Sequence, residues 1–178
     1  EMSGARALGI DLGGATPKKE LAGMNGYKEK AVKKLTGGVR SLLKGAGVEV
    51  VMGIAKLQDS HTIAVADGKS YSAENIILAL GSEVAIPPIP GLEEGGYWTS
   101  RTILSEKLTV PPRLVIIGGG VIGVEFANIY NDLGSQVTVV EMLDQLLPRM
   151  DGEIAGELQK EFKKRGITVK TGVRVTGV

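Results

Sequence analysis

The chain has 178 residues, enough for one ordinary domain or parts of two, and its 43% hydrophobic share without any long apolar run reads as a soluble globular protein lacking a membrane span. Twenty-one Lys and Arg against 20 Asp and Glu leave a formal charge of +1, so nothing in the balance points to nucleic acid or an anionic membrane as partner. With no cysteine and a single histidine, the sequence excludes disulfides, thiolate metal sites and cysteine nucleophiles of its own, and argues against His-rich metal sites and a Ser/His/Asp triad.

Residues 1–19 carry Gly4, Gly9, Gly13, Gly14 and Pro17 and read as the end of an upstream element and a loop, without the apolar core of a secretory signal. From about Gly26 the pattern turns helical. Tyr27, Ala31, Leu35, Val39 and Leu42/Leu43 recur at helical spacing and define a buried face, while Lys28, Lys30, Lys33, Lys34, Arg40 and Lys44 form a solvated basic one. The Gly37-Gly38 pair inside it has two explanations, close approach of a backbone or ligand, or a simple kink.

Val48 to Leu57 alternates and is rich in β-branched residues, as a strand is. Thr62 to Ala66 and Ser70 to Ser72 flank Asp67-Gly68, the signature of a type I′ hairpin, and His61 just before them reads as an exposed turn residue. The continuous apolar run Asn75 to Leu80 reads as a buried strand ending at Gly81-Ser82. From Glu83 to Pro112, Pro87-Pro88, Pro90-Gly91, Gly95-Gly96 and Pro111-Pro112 punctuate a connector with one short helical piece near Arg101–Ser105.

The most informative stretch follows. Leu114 to Ile117 reads as a short buried strand that runs into Gly118-x-Gly120-x-x-Gly123, where a helix opens and extends from Val121 to Leu133, with Gly134 as its C-cap. In such a motif the first glycine permits a tight turn, the second lets the backbone approach a pyrophosphate, and the third lets helix and strand pack closely. The free amides and positive dipole of the helix start favour phosphate. A second strand, Gln136 to Val140, ends at Glu141, where a carboxylate can accept hydrogen bonds from an adenosine ribose; a solvated acid at a strand end is the alternative. Glu141 repels a 2′-phosphate, and Met142-Leu143 supply no arginine to attract one, so NAD is favoured over NADP. Glu125 is placed in the first turn of the helix. Asp151 caps a further helix with Ile154, Leu158 and Phe162 as its buried stripe, stopped at Gly166 and followed by a third strand, Ile167 to Lys170. Strand–helix–strand–helix–strand is half of a doubly wound sheet.

Four segments carry a family resemblance: Lys33-Lys-Leu-Thr-Gly-Gly-Val39, Asn75-Ile-Ile-Leu-Ala-Leu-Gly-Ser-Glu-Val84, Ile117-Gly-Gly-Gly-Val-Ile-Gly-Val-Glu125 and Leu146-Leu-Pro-Arg-Met-Asp-Gly-Glu-Ile154. Together they resemble the two-dinucleotide flavoprotein disulfide reductases, with the first and last leaning towards the dihydrolipoamide dehydrogenase branch. The resemblance implies an α/β chain in which residues 1–85 are the second part of an FAD-binding domain with a β-hairpin or meander, 86–112 a connector, and 113–178 an incomplete Rossmann-like, doubly wound NAD-binding domain. It implies that Gly118, Gly119, Gly120, Val121, Ile122, Gly123 and Glu141 serve NAD and that Glu125 lies near the nicotinamide, although a helix-start acid accounts for Glu125 equally well. It also places Ala55, Ala79, Gly81 and Ser82 beside FAD, with Leu80 standing where the family has Thr. The family's Cys-x4-Cys pair and first glycine motif belong before residue 1 and its His–Glu pair after residue 178, so no residue here is expected to be catalytic. A small-molecule or lipoyl-domain substrate, a homodimer, 2-oxoacid dehydrogenase complex subunits as partners, and a cytoplasmic or mitochondrial-matrix location are implied as well. The alternatives are another flavoprotein of the group (NADH oxidase, NADH peroxidase or mercuric reductase) and an isolated nucleotide-binding module without turnover.

Overall fold

The computed structural model of the chain describes residues 18–105 and 109–178; the loop expected over residues 1–19 falls, as far as residue 17, outside them. The described residues form an α/β arrangement in two compact units, one containing Val84–Val178 and the other Gly26–Glu83.

The second of these holds most of helix α1, Leu21–Gly45, which begins before the Gly26 expected and runs through Gly37-Gly38. Among the described residues nothing lies within 4 Å of a Cβ built on either glycine, so none of them approaches the pair closely. The expected buried face is not buried: Tyr27, Leu35 and Leu42 are 77%, 70% and 75% exposed, and no residue of α1 is buried. Helical spacing defines a face, but burial requires an element packed on it.

Three short strands, β1 (Ala55–Leu57), β2 (Thr62–Val65) and β3 (Ser70–Ser72), pair antiparallel in that order. Only the end of the expected strand Val48 to Leu57 is in the ladder, because β2 offers partners to Ala55, Lys56 and Leu57 alone. The β2–β3 turn is not type I′. That turn requires positive φ at both central residues, whereas Gly68 has φ 88° and Asp67 does not share it. Gly68 instead donates to the Val65 carbonyl (2.9 Å) and Val65 to Lys69 (2.8 Å), a type I turn followed by a left-handed glycine. The Asp67 carboxylate accepts from the Lys69 amide at 3.0 Å. Asn75 to Leu80 forms no strand; Ile77 and Leu80 are 90% and 87% exposed, and the run has no ladder partner among the described residues.

The other unit carries the core. Strands β4 (Arg113–Ile117), β5 (Gln136–Val140) and β6 (Thr168–Lys170) are parallel in the order β4-β5-β6. Parallel neighbours need crossovers, supplied by α4 (Val121–Leu133) and α5 (Gly152–Lys164). Val137 and Val139 of β5 are fully covered, packed with Val124, Ala127 and Tyr130 of α4, Leu146, Phe162 and Ile167. Two shorter helices precede β4, α2 (Leu92–Gly95) and α3 (Ser100–Ser105). Ile103 of α3 packs on the core, and the Trp98 ring lies 6.4 Å from that of Tyr130.

Strand β4 is half-buried rather than buried: Leu114 and Ile116 face the core, whereas Val115 and Ile117 on the opposite face are exposed. Gly134 closes α4 in the left-handed conformation (φ 103°), its amide donating back to the last turn. Asp151 caps α5 through bonds from the amides of Glu153 (2.9 Å) and Ile154 (3.4 Å). The buried stripe of α5 is Ala155, Leu158 and Phe162, with Ile154 57% exposed. A row spaced i, i+4, i+8 winds around the helix, while steps of three then four hold to one side. Strand β6 starts at Thr168, one residue after the Ile167 expected, and Ile167 packs into the core. At the far end of α5, Arg165 joins the two crossover helices, its guanidinium donating to Asn128 and Asp132 of α4.

Candidate functional site: the glycine turn at the start of α4

The three motif glycines take three different physical roles. Gly118 ends β4 with φ 109°, a conformation that glycine adopts without strain, and its amide donates to the Val140 carbonyl at 2.8 Å. Gly123 permits contact between helix and turn: a Cβ there would stand 2.0 Å from the Gly118 carbonyl oxygen. Gly120 is different. It is the N-cap of α4 in an extended conformation (φ −71°, ψ −179°) open to any residue, and among the described residues a Cβ on it meets nothing within 4 Å. Among the described residues, neither conformation nor packing requires a glycine there.

The same point presents donors. The Gly120 carbonyl accepts from Val124 (3.0 Å), no side chain caps the helix, and the amides of Val121, Ile122 and Gly123 have no protein acceptor among the described residues. Uncapped amides at a positive dipole end, beside a backbone stripped of its Cβ, are groups that can donate to an anion such as a phosphate. The exposed side chains of Val121 and Ile122 flank it.

Glu141 stands at the end of β5 next to this turn. It is 7% exposed, which excludes the solvated acid considered from sequence. Its Oε2 accepts from the Gly119 amide at 2.6 Å and its Oε1 from the Leu143 amide at 2.8 Å. A carboxylate has about four acceptor positions, and these two amides occupy two of them. The bond to Gly119 spans 22 residues and had no local signal in the sequence. Gly119 itself is buried, and a Cβ there would fall 2.6 Å from Leu146 Cδ2 and 3.1 Å from Glu141 Cβ. The strand β4–turn–α4–β5 unit thus brings Gly118, Gly119, Gly120, Val121, Ile122, Gly123 and Glu141 together. Glu125 is exposed and lies beyond the first turn of α4, where the dipole effect has largely faded, contrary to its expected placement.

The residues expected beside FAD belong to the other unit. Ala55 pairs with Val65 at the edge strand β1. Ala79, Gly81 and Ser82 are exposed in a stretch without regular structure, Gly81 with φ 73°. Among the described residues, no cluster of His, Cys, Asp or Glu could hold a metal ion, and no helix is long and apolar enough to cross a membrane.

The sequence profile of the pyridine nucleotide-disulphide oxidoreductase family matches residues 9–178. The chain belongs to that family. Similar members include the dihydrolipoyl dehydrogenase of Acholeplasma laidlawii, 43% identical over 85% of this chain and 46% of the relative. That of Thermus scotoductus is 38% identical over 99% of this chain and 37% of the relative. Among solved structures, LpdA from Mycobacterium tuberculosis superposes with a TM-score of 0.79 at 26% identity, covering 99% of this chain and 39% of that one. The Cu(II) complex of the HOCl-induced flavoprotein disulfide reductase RclA from Escherichia coli gives 0.76 at 28% identity, covering 89% and 37%. The chain therefore spans less than half the length of these family members.

Proposed function

We propose that the chain is the central part of an FAD- and NAD-dependent dihydrolipoyl dehydrogenase, in which it supplies the NAD site and part of the FAD wall. The observation that carries the reading is the open face of Gly120 at the uncapped start of α4, with the Glu141 carboxylate at the end of the neighbouring strand. When bound, the flavin and the nicotinamide supply the hydride chemistry. The residues of this chain bind and orient: the α4 amides hold the diphosphate, and the two spare acceptor positions of Glu141 hold the adenosine ribose hydroxyls. The same buried carboxylate disfavours a 2′-phosphate and so selects NAD over NADP. In this reading β4, β5 and β6 are half of a doubly wound sheet, residues 1–85 contribute to an FAD domain through Ala55, Ala79, Gly81 and Ser82, and 86–112 connect the two. The substrate is a dihydrolipoamide, free or on a lipoyl domain, and the whole enzyme is a homodimer. The sequence has no cysteine, so the dithiol chemistry rests on groups outside these residues.

Two measurements test the reading. Full-length protein should reduce NAD with dihydrolipoamide, and an inactive but flavin-loaded enzyme would refute the substrate. Calorimetric titration should show Glu141→Ala binding NADH more weakly by roughly 1–3 kcal/mol, as loss of charged hydrogen bonds entails. Equal affinity would remove Glu141 from the ribose.

A further inference from the structure

One residue next to the glycine turn sits in a conformation its chemistry disfavours. Leu147 has φ 50°, the only non-glycine residue with positive φ among those described. A leucine in that region is strained and persists only where its surroundings fix it. Here they do. Leu146, immediately before it, is fully buried in the core, and the Met150 amide donates to the Leu147 carbonyl at 2.8 Å. Leu147, left-handed at the first position of the Leu147–Met150 turn, makes a bond outside that turn: its amide donates to the Gly119 carbonyl at 2.8 Å.

Gly119 is thereby gripped on every side that a glycine has. Its amide is held by Glu141 Oε2, its carbonyl by the Leu147 amide, and its Cα lies against Leu146 and Glu141. The Gly119 carbonyl belongs to the same peptide as the Gly120 amide. Fixing one therefore fixes the direction of the other, and with it the first turn of α4. We infer that the Leu146-Leu147 segment is a latch on the dinucleotide loop, with Leu147 a positioning residue that acts through its backbone conformation while its side chain packs against the core. The inference rests on the NAD reading above for its ligand, but the latch is a property of the polypeptide and can be read without one.

A substitution series at Leu147 separates conformation from packing. Glycine and asparagine adopt positive φ readily but remove a side chain that packs against the core and so lower overall stability, whereas valine keeps an apolar side chain but is β-branched and poorly suited to the left-handed region. In full-length protein, Leu147→Gly and Leu147→Asn should bind NADH within about twofold of the parent, and Leu147→Val about tenfold or more weakly. Hydrogen exchange of the segment 117–123, followed by mass spectrometry without nucleotide, should be unchanged in the first two and accelerated in the third. The opposite order, with Val preserved and Gly and Asn impaired, would show that Leu147 acts by packing and overturn the latch. So would exchange that is the same in all variants. If the parent itself fails to bind NADH, the NAD reading falls, while the exchange series still decides the latch.

Discussion

Alanine at Gly120 and alanine at Gly123 add the same methyl group with opposite consequences. At Gly123 the methyl would stand 2.0 Å from a backbone oxygen, so turn and helix must part, at roughly 1–3 kcal/mol of stability for such overpacking. At Gly120 it enters open space from a backbone that any residue accepts, and the loss of stability should stay under about 1 kcal/mol. Binding should respond differently. Gly120→Ala occupies the room kept for the diphosphate, and NADH affinity should fall about tenfold or more, about 1.4 kcal/mol. Urea unfolding and NADH titration of both variants check the pair. A Gly120→Ala protein that is stable and binds normally would show that the open space is not where the ligand lies. The Glu141 carboxylate follows a related logic: it serves the fold through Gly119 and Leu143, and the ligand only through what acceptor capacity is left.

At the scale of elements, β4–α4–β5–α5–β6 was legible because its signals are local. Gly134 and Asp151 mark helix ends through bonds to residues within a few positions, and strand and helix periods alternate without ambiguity. Burial was harder to read. The α1 stripe, the Asn75 to Leu80 run and the outer face of β4 all look like core, yet a pattern states only what could be covered. The grip of Glu141 and Leu147 on Gly119 was also invisible, since it joins residues more than 20 positions apart and uses backbone groups of Gly119 and Leu147 that every residue has. Helix α4 also carries a titratable anchor. Tyr130 is 2% exposed, between Trp98 and Phe126, and burial raises its phenol above the ordinary 10.0. The folded chain therefore favours the neutral phenol. That contribution is whole below pH 10 and is lost as pH climbs through the ordinary value towards the folded one. Urea unfolding between about pH 8 and 11 should show the parent losing stability more steeply than Tyr130→Phe. Parallel pH profiles would mean that the phenol plays no part in the alkaline loss.

For the whole molecule, the distribution of core is the decisive fact. Every buried residue among those described lies between Leu92 and Ile167, and the unit Gly26–Glu83 contains none. A folded domain is a small surplus of burial over the entropy of ordering its chain, and a unit without buried side chains has little to set against that entropy. Its helix is long, but helices in water draw most of their stability from packing an apolar face, and in α1 that face is exposed. The two units should therefore differ sharply when each is produced alone. Residues 84–178 should unfold cooperatively in urea, with far-UV circular dichroism and tryptophan fluorescence following one transition, since the single tryptophan lies against Tyr130. Residues 26–83 should show little helix and a broad, featureless melt. Helicity would rise only when other protein surface covers Leu35, Val39 and Leu42. A sharp unfolding transition in isolated 26–83 would show that its short sheet and helix hold each other without a buried core, and that exposure in the folded chain is a poor guide to what stabilises this unit.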